Sequence, residues 1–191
     1  IFSTKKIGIF GIVSPIIALS AISVSILVHP WFSWADNALS DLGALSTSYN
    51  IIFNLGLILS GAAGLLFTLG LGLLLKTRIE RIGGLIFGLG VFSLILVGVF
   101  PEGTSPHWLV SVAFFTLSTL GMVIIGIGHL KRDSVKIWGI FILSIVIVAL
   151  VSVLLIATIP YDLGPAIPET IGAIAFSEFS IVFGARIYGI I

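Results

Sequence analysis

Hydrophobic positions along this chain gather into six long blocks separated by short polar stretches. The blocks run over about 7–28, 51–75, 82–100, 107–130, 137–159 and 169–191. Each is close to the ~20 residues that carry a helix across a hydrocarbon core of ~30 Å. The short alternating segments of a membrane β-barrel do not occur. In lipid a helix satisfies its own backbone, so helices are the expected element. The pattern predicts an all-α, polytopic fold: one six-helix transmembrane bundle occupying residues 1–191 as a single domain. No small-residue cleavage motif follows the first block, which reads as a retained helix.

The polar stretches give the bundle an orientation. All nine basic residues (Lys5, Lys6, Lys76, Arg78, Arg81, Lys131, Arg132, Lys136 and Arg186) fall at one membrane face if there are six crossings. By the positive-inside rule that face is cytoplasmic, which predicts a multi-pass protein of the cell membrane with both termini inside. An odd number of crossings would set Lys5 and Lys6 opposite Arg186, so the count and the charge rule support each other. The other face carries Asp36, Asp41, Glu102, Asp162 and Glu169 with His29 and His107, and has no Lys or Arg. Trp31, Trp34, Trp108 and Tyr161 sit at that boundary, as amphipathic rings do. Trp31, Trp34, Leu39 and Leu42 are expected on a short interfacial helix.

Composition sharpens the class. The 191 residues are 58% hydrophobic and 9% charged, too few charges to cover a soluble domain. With no cysteine, disulfides, thiolate catalysis and Cys-based metal sites are excluded. Two stretches look alike: a helix, a basic turn and a helix ending in Pro101-Glu102-Gly103, then the same ending in Pro160-Tyr161-Asp162. They read as repeated helical hairpins in parallel orientation. Gly61-Ala62-Ala63-Gly64, Gly70 with Gly72, and Gly84 with Gly88 are surfaces for close helix packing.

Candidate chemistry lies mostly in the outer loops. Asn37 and Ser40 suit a helix start and Gly43 a turn end, which leaves Asp41 without a structural duty. Ser105 reads as an N-cap with Pro106 as the first helical residue. His107 then sits at a positive helix end, in line with Ser111, Phe114, Ser118 and Gly121 on one face. Glu169 lies at a helix start that Pro168 opens, where a carboxylate is favoured. Glu178 differs from these, since it lies about 13 Å into the last helix and is costly there. Its candidate partners are Arg186, His129 and Asn54.

The order Asn37-x-x-Ser40-Asp41-Leu42-Gly43, then Phe100-Pro101-x-Gly103 with His107, then Ile167-Pro168-Glu169, resembles a group of six-helix prokaryotic membrane proteins. That group is known only as a domain of unknown function, number 998. A more distant likeness is to the FRAG/DRAM/Sfk membrane proteins. The resemblance covers nearly the whole chain. It implies six helices and an outward polar cluster, and brings no reaction with it.

Three functions remain open on these residues. The first is a binding module in which Asn37, Ser40, Asp41, Glu102, His107, Asp162 and Glu169 form an outward pocket for a small ligand, lipid headgroup or cation. The second is a lipid hydrolase in which His107, Asp41 and Glu169 hold a divalent metal that activates water. The third is an accessory subunit of a larger membrane complex. A haem held by His29 and His107 is a further cofactor reading. A transporter is weakened because Pro15 and Glu178 are the lone interruptions of the apolar segments. Partners expected are the lipid bilayer, with other membrane subunits or a second copy, and no nucleic acid. No motif specifies a reaction, so the sequence leaves open whether the protein is an enzyme.

Overall fold

A computed structural model describes residues 4–158 and 163–190. Pro160, Tyr161 and Asp162, and with them the end of the second hairpin unit, lie outside the described residues. Six helices carry the fold: α1 (Ile9–Val28), α2 (Asn50–Leu71), α3 (Arg78–Val99), α4 (His107–Leu130), α5 (Lys136–Thr158) and α6 (Ala166–Tyr188). All six are long and apolar enough to cross a membrane. The described residues contain no strand. The protein is a multi-pass membrane protein built as an all-α six-helix bundle.

Consecutive helices pack side by side, and α6 returns to α1 to close the ring. The tightest pairings rest on missing side chains. A methyl group on Gly11 of α1 would stand 2.8 Å from the Gly184 Cα of α6, and one on Gly121 of α4 would stand 2.5 Å from the Phe87 N of α3. Backbones meet at these crossings because neither glycine has a Cβ. The interior toward the basic end is aromatic: Phe67, Phe87 and Phe179 pack edge to face with centroids 4.9–6.5 Å apart. By contrast α5 turns Ile147, Val148, Leu150, Leu154 and Leu155 outward, toward lipid.

Several helix ends differ from the expected ones, each for a local reason. α2 stops at Leu71 rather than at 75, where Gly70 and Gly72 weaken it, and the chain folds back to bury Leu75. α3 starts at Arg78, four residues before its apolar block, because Thr77 and Glu80 form a capping box. The Glu80 N–H donates to Thr77 Oγ1 at 3.2 Å, and the Thr77 N–H donates to Glu80 Oε2 at 2.9 Å. α4 starts at His107 with Pro106 at the cap position and no side-chain cap, so Ser105 does not have the capping role expected of it. α6 starts at Ala166, with Pro165 at the cap. Pro168 therefore falls inside the first turn, where a helix has no N–H to lose.

The long loop between α1 and α2 is not an interfacial helix. Residues Leu39–Gly43 form a short 3-10 turn, and Leu39 and Leu42 point inward, 5% and 0% exposed. They pack among Phe53, Leu57, Val97, Val110 and Ala166 and plug the acidic end of the bundle. Trp31 and Trp34 stay at the surface, as expected. Asn54 fixes the plug to α2 by donating from Nδ2 to the Gly43 carbonyl at 2.8 Å.

Candidate functional site

Three segments of the acidic end that are far apart in sequence meet over this plug. The turn Pro101–Thr104 reverses the chain between α3 and α4 because Gly103 takes φ +87°, a conformation that suits glycine. The reversal brings Glu102 to His107, with Glu102 Oε2 2.9 Å from His107 Nε2. His107 is 6% exposed. Its Nδ1 donates to the Phe100 carbonyl at 2.8 Å, and Ser111 Oγ lies 3.2 Å from Nε2. Ser40 from the plug donates to Glu102 Oε2 at 3.3 Å. A polar chain thus runs from Ser40 through Glu102 and His107 to Ser111.

Glu169 joins from α6. Its Oε2 accepts the Leu39 N–H at 2.6 Å, and the Ala166 N–H donates to the Asn37 carbonyl at 3.0 Å. The start of α6 is therefore bonded to the plug at two points. Asp41 and Glu102 are close enough to act on Glu169 through space, so three carboxylates share this end. No Lys or Arg lies there among the described residues.

Asp41 and Asn37 have structural duties that the sequence does not reveal. Asp41 Oδ2 accepts from Asn37 Nδ2 at 3.1 Å and from the Ala38 N–H at 3.0 Å, so it closes its own loop. Asn37 in turn accepts from the Ser33 N–H at 2.9 Å and caps no helix. Among the described residues no three His, Asp or Glu side chains are placed to share an ion. The trio His107, Asp41 and Glu169 is not assembled as a metal site, because the turn holds Asp41 and the Leu39 N–H holds Glu169. His29 is 3% exposed, with Nδ1 2.6 Å from the Ser25 carbonyl and Nε2 against the Ser48 carbonyl. His107 Nδ1 is likewise committed to a carbonyl, so the two rings are fixed by the protein rather than held open for a haem.

Beneath the polar chain lies an apolar cavity of about 110 Å³. Leu39, Ser40 and Glu169 close it toward the acidic end, and Phe67 and Phe87 lie toward the basic end. The walls are apolar apart from hydroxyls, including Ser14, Ser60, Ser111, Ser118, Ser177 and Ser180. Ser118 is fully buried and its Oγ has no hydrogen-bond partner. A second cavity, of about 270 Å³, lies among α4, α5 and α6. Phe115, Glu169 and Phe176 line both.

The basic end holds a network that the sequence reading missed. Glu80 is 0% exposed. It accepts from the Lys76 and Thr77 N–H groups at 2.6 and 2.9 Å, and from Arg132 Nη1 at 2.9 and 3.1 Å. His129 is also buried, with Nδ1 3.2 Å from Glu80 Oε1. The available signal was Thr77-x-x-Glu80 just before an apolar block, a capping box.

Residues 12–186 match the family described as "Protein of unknown function (DUF998)". The chain belongs to this family. Membership carries no reaction, substrate or partner with it. No curated protein and no solved structure matched the chain.

Proposed function

We propose that this protein binds a single-chain amphiphile whose cationic or hydrogen-bond-donating head lies at the acidic end and whose tail fills the central cavity. The observation that carries the reading is one continuous lining: Glu169 and Ser40 border the same cavity whose body is apolar. A pocket that is mostly apolar with a few convergent polar groups at one end suits a ligand with the same division. The head meets Glu169, with Asp41 and Glu102 adding negative charge. The hydroxyls of Ser111 and Ser118 serve a carbonyl or hydroxyl carried lower on the chain. The second cavity, bordered by α5 and sharing Phe115, Glu169 and Phe176, is a route from the bilayer. By the charge rule the basic end faces the cytoplasm, so the ligand comes from the outer leaflet.

The test uses the full chain purified in detergent. Native mass spectrometry compares dodecylamine, dodecanol and dodecanoate, which share a tail and differ in head charge. Binding in the order amine, alcohol, carboxylate is expected. Equal binding of the three, or preference for the carboxylate, refutes the proposal.

A further inference from the structure

Glu178 belongs neither to the acidic end nor to the network around Glu80. It lies twelve residues after Ala166 in α6, a helix of 23 residues. That is about 18 Å along the axis and near mid-membrane, deeper than the helix start expected at Glu169 implied. The structure turns it away from the bundle: Glu178 is exposed, while its neighbours Ser177 and Phe179 are buried. Each candidate partner within the chain is engaged elsewhere. The Arg186 guanidinium stacks over Trp138 at 4.1 Å. His129 lies against Glu80 at 3.2 Å. Asn54 holds the Gly43 carbonyl at 2.8 Å. Among the described residues Glu178 forms no ion pair and no hydrogen bond through its side chain. A carboxyl group facing hydrocarbon at this depth is expensive, and such residues ordinarily face protein or water.

The exposed face of α6 has an order of its own. Ile174, Glu178, Ile181 and Tyr188 are exposed and Ala185 is half-buried between the last two. Their spacing is four, three, four and three residues, the seam of a left-handed helix pair. Two copies of a membrane protein inserted the same way are related by an axis along the membrane normal, so each residue on the seam meets its counterpart at its own depth. A protonated carboxyl carries both a donor and an acceptor, and it can hydrogen-bond to a second carboxyl. An unrelated partner would need its own polar group at this depth, whereas a second copy supplies one automatically. We infer that α6 is the face of a homodimer, in which Glu178 of each copy hydrogen-bonds to the other across the twofold axis. The seam does not include the cavity lining, so this inference stands or falls apart from the proposed ligand.

The chain has no cysteine, so single cysteines report the interface cleanly. Ile174→Cys and Ile181→Cys, oxidised in native membranes, are expected to give a disulfide-linked dimer. Val148→Cys on the lipid face of α5 is expected to give none. In liposomes, energy transfer between labelled copies gives the dimer dissociation constant. Glu178→Leu is expected to raise it at least about threefold, while Glu178→Gln, which keeps a donor and an acceptor, stays near wild type. Leucine favours insertion, so a loss with Glu178→Leu is not a failure to enter the membrane. Three results would each overturn the inference: a monomeric wild type at every protein-to-lipid ratio, cross-linking from Val148→Cys equal to that from α6, or a Glu178→Leu dimer as tight as the native one.

Discussion

Replacing Glu169 separates its structural bond from its charge. Glu169→Gln keeps an acceptor oxygen for the Leu39 N–H, which now donates to the carboxylate at 2.6 Å. A hydrogen bond to a charged acceptor contributes about 1.5–3 kcal/mol and a neutral one about 1 kcal/mol, so the exchange alone costs roughly 1 kcal/mol. Removing one of three neighbouring carboxylates relieves repulsion from Asp41 and Glu102 and offsets part of that. The folded state of Glu169→Gln is therefore expected to lie within about 1 kcal/mol of wild type. Glu169→Ala differs, because Leu39 is buried and its N–H is left without an acceptor, a loss of about 1–3 kcal/mol.

Binding should respond in the opposite proportion. A cation ~4 Å from the carboxylate gains about 4 kcal/mol at an effective dielectric constant of ~20. Asp41 and Glu102 remain in the variant and the head group loses hydration on entry, so only part of this is forfeited. A weakening of dodecylamine binding by about ten- to a hundredfold is expected for Glu169→Gln. Dodecanol binding should change by less than about threefold, since an uncharged head loses no ion pair. The assay pairs thermal unfolding with native mass spectrometry on the same samples. If Glu169→Gln unfolds like wild type and still binds the amine as tightly, the carboxylate does not recognise the head and the reasoning fails.

Other expectations follow from single contacts. Gly103→Ala places a side chain at φ +87° and should cost about 1–2 kcal/mol, read as a lower unfolding temperature. The His107 ring resonances should shift with it, because the turn sets the contact with Glu102. Glu80→Gln leaves the Arg132 guanidinium without its buried counter-charge and should cost about 3–5 kcal/mol, against about 1 kcal/mol for Thr77→Ala, which removes the cap alone. Equal losses for the two in denaturant unfolding would mean that the Arg132 pair contributes nothing beyond the cap. Ser118→Ala removes a buried hydroxyl that has no partner, so its stability should equal or exceed wild type by up to about 1 kcal/mol.

The helices were legible because lipid imposes one rule on every block, and each block kept it. The polar face of α4 was legible for a similar reason: His107, Ser111 and Ser118 recur at helical spacing, and the structure turns all three inward. The plug was not. Leu39 and Leu42 sit among polar residues, a pattern that also fits a helix lying on the membrane surface, and only the room left between α2, α3 and α4 draws them in. Asp41 and Glu102 look alike in the sequence, as loop acids without a basic neighbour. Loop closure occupies the first and a glycine turn carries the second to His107, and neither outcome follows from residue type. Glu80 was hidden for the opposite reason. Among Lys76, Arg78 and Arg81 an acid reads as one more solvated charge, although its spacing from Thr77 marks a cap.

The two ends of the bundle treat their carboxylates differently, and the difference bears on function. At the basic end Glu80 is matched by two N–H groups and by Arg132, so its charge is consumed by the fold. At the acidic end the fold supplies backbone N–H groups, one amide, one hydroxyl and one imidazole to three carboxylates, and no Lys or Arg among the described residues. Apart from the imidazole at Glu102 these donors are neutral, and a hydrogen bond from a neutral donor holds an anion in place without cancelling its charge. The surplus lies at the rim of an apolar cavity, where low dielectric strengthens attraction for a cation and penalises an anion. The charge rule for membrane insertion would account for basic residues gathered at one end, but it requires no acids at the other. The proposed cation-headed ligand would give those acids a reason to be there.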